Sequence, residues 1–172
     1  SKRFNELVKE VGLDTNPILI CTNSSSPNVE TKSNSIYRFS IRSTDAARVL
    51  AKKSTDLGLK NIAYIAIDDE FGKSSVSTFD KEWSKDGNLF LSGIYLDPLL
   101  SKNKIIKKIK NSQLSQQNLD AIFVVNSNSG MQNTIIALDS FPDDIIILGT
   151  SGLSVKYTQY PIKDILAHKR WF

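Results

Sequence analysis

From Asn61 to Ile67 the chain runs without a charge, then turns at once into Asp68-Asp69-Glu70-Phe71-Gly72. A short continuous apolar run bounded by turn residues predicts a strand buried on both faces. Such a strand calls for a covering layer on each side, which points to an α/β architecture. In open α/β sheets, ligands bind just past the carboxyl ends of the strands. Asp68 to Gly72 are therefore expected on the functional rim of a sheet. The same residues also suit a plain strand-to-helix turn, because carboxylates are stabilised near a helix N-terminus.

The other stretches repeat this rhythm. Phe4, Leu7, Val8 and Val11 have helical spacing, with Gly12 as a stop. Pro17 to Cys21 reads as a short buried strand, and Thr22 to Ser35 as a long polar loop rich in hydroxyls and amides. Tyr37 to Ile41 alternates like a strand. Ser43, Thr44 and Asp45 offer an N-cap for a helix from Ala46 to Leu57, ended by Gly58. A second helix is expected over Ser74 to Lys85, where Val76, Phe79 and Trp83 form a core stripe and not a cofactor box. Leu89 to Leu96 reads as a strand. Ser101 precedes a basic helix, Lys102 to Asn111, with Ile105, Ile106 and Ile109 inward and its lysines read as a solvated face. Leu119 to Val125 is a strand with a rim at 126–130, Met131 to Leu138 a helix, and Asp144 to Leu148 the last clear strand. Alternating strands and helices predict a three-layer α/β/α sandwich. Its sheet, mainly parallel, should have about five strands: Ile18–Cys21, Ile62–Ile67, Leu89–Tyr95, Ala121–Val125 and Ile145–Leu148, with the first free to stand apart from the others.

Composition narrows the function. The 172 residues are 40% hydrophobic and 23% charged, which suits one folded unit. The net charge of +4 is mild and the lysines alternate with acids, which argues against nucleic acid as the main partner. No apolar run approaches the roughly 20 residues that span a bilayer. Ser1 opens a polar segment with no leader pattern, so the chain is expected to be cytoplasmic or to have its leader elsewhere. Cys21 and His168 are each the only residue of their kind. Cys21 reads as a core residue, and neither suggests a metal or general-base site. The dinucleotide GxGxxG, the P-loop and the GxSxG elbow are absent from the sequence. The acids at 68–70 would suit magnesium only with further partners. The rims at Thr22–Ser26, Asn126–Ser129 and Thr150-Ser151 carry hydroxyls and amides, which hold a polar ligand by hydrogen bonds and do little covalent chemistry without a base. No catalytic residue, metal or cofactor is expected.

Several motifs fall in a familiar order: Tyr37-Arg38-Phe39, Thr44-Asp45, Leu57 to Ala63, Asp69-Glu70-Phe71-Gly72, Gly87, Asp120 to Val124 and Leu148-Gly149-Thr150. Together they resemble type 1 periplasmic binding proteins, especially the branched-chain amino-acid-binding branch shared with receptor ligand-binding regions. The resemblance covers roughly residues 4 to 155 and rests on order and spacing more than on any one motif. It implies a two-lobed clamshell, of which this chain is a fragment. Residues 1–36 would close the first lobe and cross over, 37–158 would form the second lobe, and 159–172 would be an exit segment. The implied ligand-binding set is Asn23, Ser24, Ser25, Asp69, Glu70, Phe71, Asn126, Ser127, Thr150 and Ser151. Within it, Asn23-Ser24-Ser25 matches the loop that holds a ligand carboxylate, and Phe71 stands where the family usually has tyrosine. Ser127 and Ser151 replace an aromatic and an acid, so a ligand ammonium would need Asp68 or Glu70 instead.

The resemblance implies a non-catalytic, periplasmic or cell-envelope solute-binding lobe of ABC-transporter type, for an amino acid or other small polar solute, with a membrane permease or envelope protein as partner. The alternative is a binding-protein-like envelope lipoprotein that acts as a scaffold or regulator through protein contacts. One lobe alone is expected to hold a solute only weakly and to expose apolar surface that favours self-association.

Overall fold

The structure is a computed structural model and describes residues 19–21, 36–38, 41–126, 128–150, 165 and 167–172. β1 (Leu19–Cys21) and β2 (Ile36–Arg38) pair in parallel as a small sheet of their own. Then come α1 (Ser43–Asp56), β3 (Ile62–Ile67), α2 (Glu70–Trp83), β4 (Ser92–Leu96), α3 (Lys102–Asn111), β5 (Ala121–Val125), α4 (Asn128–Leu138), β6 (Ile146–Gly149) and β7 (Arg170–Trp171). The five later strands form one sheet in the order β4-β3-β5-β6-β7, and every pairing is parallel. This is the α/β/α sandwich expected from the sequence. Among the described residues, no helix is long and apolar enough to cross a membrane.

The absence of charge in β3 has a direct cause. Ala63 and Ile65 enter a core with Ile122, Val124 and Ile147 beneath α3 and α4. Ile62 and Ala66 enter a second core with Phe123, Val125 and Leu148 beneath α1 and α2. Both faces are dry, so the polar alternation of a one-sided strand is lost. Phe79, fully buried, stacks on Phe123 with ring centroids 4.5 Å apart and meets Trp83 edge-on at 5.7 Å. These aromatics are core, as their helical spacing predicts.

Several boundaries differ from the sequence expectation. β1 stands outside the main sheet, and the fifth place is taken by β7, from the tail read as an exit segment. β7 has only two residues, both exposed, so it lacks an apolar pattern that would announce it. Its neighbour Lys169 is buried and donates Nζ to the carbonyls of Phe141 at 2.9 Å and Pro142 at 3.0 Å, which ties the tail to the loop after α4. Of the strand expected over Tyr37 to Ile41, Tyr37 and Arg38 lie in β2, Ile41 does not continue it, and Phe39 and Ser40 lie outside the described residues. The N-cap of α1 is Arg42, not the Ser43–Asp45 group. α2 starts at Glu70 and not at Ser74, because Asp69 supplies a cap upstream. β4 begins at Ser92, and Leu89 and Leu91 remain exposed ahead of this edge strand. The helix predicted over Phe4 to Val11 lies outside the described residues, and so does Ile18 at the start of the first predicted strand.

Two glycines act through geometry. Gly58 follows α1 at φ +69°, a conformation that costs an L-residue about 1–2 kcal/mol. Gly72 lies where α2 leaves β3, and a Cβ there would stand 1.8 Å from the carbonyl oxygen of Ile67. Asp120 fastens the other end of the strand by accepting from the amides of Lys60 and Asn61, both at 2.8 Å.

Gly72→Ala is expected to lower the unfolding free energy by about 3 kcal/mol, since backbone and not a flexible side chain fills the space. Gly58→Ala should cost about 1–2 kcal/mol. Urea unfolding of both variants checks the order; equal midpoints would contradict the close approach at Gly72.

Candidate functional site

The chain leaves β3 toward β4 on one side and then returns to β5 on the other. The carboxyl ends of β3 and β5 thus flank a topological switch point, where such sheets bind ligands. α2, α3 and α4 each start soon after the carboxyl ends of β3, β4 and β5, so their N-termini gather at the same rim. Those N-termini carry partial positive charge, which suits an anionic group.

The structure places Asp69, Glu70 and Phe71 after β3, Asn126 after β5 and Thr150 after β6, on the carboxyl ends of three adjacent strands. Their side chains do different things. Asp69 is the N-cap of α2 and accepts from the Gly72 amide at 2.8 Å. That carboxylate serves the helix first, as the turn reading of these residues holds. Asp68, exposed, pairs with Lys73 at 2.7 Å, and its amide donates to the Leu96 carbonyl at 2.7 Å. Glu70 is exposed in the first turn of α2. Phe71 is half-buried against the core beneath α1 and α2, and its carbonyl accepts the hydroxyls of Ser74 and Ser75.

Asn126 is buried and donates Nδ2 to Thr134 Oγ1 at 3.2 Å, and that hydroxyl donates to the Gly130 carbonyl at 2.9 Å. Gly130 leaves room for this arrangement: a Cβ there would stand 2.4 Å from Asn126 Oδ1. Thr150 is buried, its amide donates to the Val124 carbonyl at 3.4 Å, and its Oγ1 has no hydrogen-bond partner among the described residues. An unpartnered buried hydroxyl costs stability, so it is a group ready to accept a polar neighbour. Asn23, Ser24, Ser25, Ser127 and Ser151 lie outside the described residues.

Sequence reasoning missed Tyr64 and Tyr95. They lie next to each other across β3 and β4, with ring centroids 5.2 Å apart. The Tyr64 ring fills the space above Gly93, where a Cβ would come within 2.1 Å of it. Burial, then the charge and hydrogen bond of Tyr64 and the nearby Asp68, push the Tyr95 hydroxyl from its ordinary 10.0 up to about 12. Both tyrosines read as strand residues in the sequence, and only the pairing of β3 with β4 shows them side by side beneath the rim. Among the described residues, no group of three or more His, Cys, Asp or Glu is placed to hold a metal ion.

No family model matches the sequence, and no curated protein matches it. Solved structures match its fold. The benzoate complex of an ABC-transporter solute-binding protein from R. palustris aligns with a TM-score of 0.71 at 12% identity, over 95% of this chain and 51% of its own. A second such protein, from Rhodopseudomonas palustris HaA2 with p-hydroxybenzoic acid, gives 0.68 at 18% identity, over 94% and 49%. A substrate-binding protein from Desulfitobacterium hafniense in complex with Leu gives 0.64 at 14%, over 82% and 42%. This chain has the fold of type 1, branched-chain amino-acid-binding-like solute-binding proteins. It spans about half the length of the solved structures it matches.

Two outcomes test this geometry. Asp69→Ala is expected to cost about 1 kcal/mol of stability through loss of the cap, measured by denaturant unfolding. For Tyr95 the folded state favours the neutral hydroxyl. Its contribution is complete below the unfolded value of 10.0 and is lost as pH rises toward about 12. Melting temperatures should therefore fall more steeply between these limits in the native chain than in Tyr95→Phe. Parallel curves would exclude the shift.

Proposed function

We propose that this chain is a fragment, mostly the second lobe, of a two-lobed, extracytoplasmic solute-binding protein of ABC-transporter type. It binds a small polar solute, without catalysis, at the carboxyl rim of its main sheet. The observation that supports this reading is the rim itself: the residues following β3, β5 and β6 lie at the carboxyl ends of three adjacent strands, beside a topological switch point and the N-termini of helices. Benzoate, p-hydroxybenzoate and leucine, the ligands of the similar solved structures, all carry a carboxylate, which suits that positive end. We assign residues 37–158 to this lobe and residues 1–36 to the end of the other lobe and the crossover. That β1 stands in a small sheet apart from the main one supports a boundary near β2, although Tyr37-Arg38 pair with β1 and β7 of the tail joins the main sheet. Ile20, Tyr37 and Ile41, exposed by 59%, 55% and 79%, support a face that the rest of the first lobe covers and that favours self-association when open.

A second reading is a binding-protein-like envelope scaffold acting through protein contacts. It is favoured by the inward hydrogen bonds of Asp69 and Asn126, which occupy groups a polar solute would use.

Clamshell ligands are gripped by both lobes. If a whole site binds near micromolar, half the contacts leave roughly millimolar affinity. Titrating the chain with leucine and with benzoate, followed by amide chemical shifts, should move signals at 68–72, 126–130 and 150 with about that affinity. Shifts confined to other regions, or none at saturating concentrations of both, would favour the scaffold.

A further inference from the structure

The charges of this chain are unevenly layered. In α1 and α2 the cations equal the acids in number, and Arg48 pairs with Asp45 at 2.9 Å. On the other side of the sheet, α4 has no charged residue, while α3 carries Lys102, Lys104, Lys107, Lys108 and Lys110 with no acid. All five are exposed, and none is ion-paired among the described residues; Lys108 donates its Nζ to the Tyr95 carbonyl at 2.7 Å. Among the four described α-helices, the cationic excess therefore lies on α3.

This placement works against the helix that carries it. Lys102 and Lys104 occupy the first turn of α3, where the dipole favours acids. Lys104 and Lys108 stand four residues apart and repel. Ile105 and Ile109 are buried, so Lys104 and Lys107, three residues apart, share the outward face, while Lys108 reaches back to the edge of β4. Leu99, in the turn just ahead of α3, is 91% exposed. The acid nearest in sequence is Asp97, whose carboxylate accepts from the Leu99 amide at 2.8 Å.

We propose that the outward face of α3, with Leu99, docks on an anionic lipid surface. Lysine is a strongly hydrated point charge that suits diffuse attraction to a charged plane, whereas recognition of discrete carboxylates or phosphates favours arginine forks, of which this helix has none. An exposed leucine beside such a patch adds shallow apolar insertion. Docking of this kind is independent of whether the rim binds a solute.

Sedimentation with vesicles tests it. The chain should pellet with mixed phosphatidylglycerol–phosphatidylcholine vesicles and not with phosphatidylcholine alone. Binding should vanish as salt rises from about 0.1 to about 1 M, where screening shortens from about 10 to about 3 Å. Lys104→Glu/Lys107→Glu should weaken binding about a hundredfold, and Leu99→Ser about tenfold. Lys52→Glu/Lys81→Glu, with the same net charge change on the opposite layer, should leave binding within about twofold. Circular dichroism confirms that each variant folds. The proposal is overturned by no pelleting with anionic vesicles, by equal losses in the two charge-reversed pairs, or by capture on polyglutamate without vesicle binding, which would assign the face to an acidic polypeptide.

Discussion

Ile65 and Ala66 are neighbours in β3, both fully buried, and each belongs to a different core. The rest of the main sheet depends on that two-sided burial. A strand dry on both faces must be covered by helices above and below, and each helix must leave the strand sharply enough to lie back across it. Gly72 permits the departure of α2, and Asp120 secures the entry of the chain into β3. Because β3 lies between β4 and β5, the same strand also sets the switch point at which the rim opens.

The residues after β3 show how one short stretch meets two demands. Asp69 and Gly72 are needed for the turn itself, one as cap and the other for lack of a side chain. Glu70 and Asp68 remain exposed, and Phe71 turns half-way into the core. Among the described residues, the rim therefore offers helix N-termini together with the exposed Asp68 and Glu70. Thr150, with its unpartnered buried hydroxyl, is the polar group on the rim that the fold itself leaves unsatisfied among the described residues.

The two helical layers differ in chemistry as well as position. One is charge-balanced and surrounds an aromatic core of Phe79, Trp83, Phe90 and Phe123. The other is mainly aliphatic inside, with Phe141 as its buried aromatic, and lysine-rich outside. The alternation of cations and acids along the chain hides this division, because residues of α1 and α2 are counted together with those of α3. Averaged over the sequence, the basic helix reads as an ordinary solvated face.

The sequence by itself determined the α/β/α class, four of the five main-sheet strands, the core role of Phe79 and Trp83, and the carboxyl-end position of residues 68–72, 126 and 150. Those features are written in local periodicity and turn chemistry, which need no distant partner to be read. Tertiary structure alone decided the rest. β7 takes its place because β6 has an open edge and Lys169 anchors the tail, not because two exposed residues favour a strand. The capping role of Asp69, the bond from Asn126 to Thr134 and the meeting of Tyr64 with Tyr95 likewise rest on backbone placed by other elements. A one-dimensional pattern reports which face of an element is apolar; which groups that face brings together is set by packing, where sequence separation carries no information.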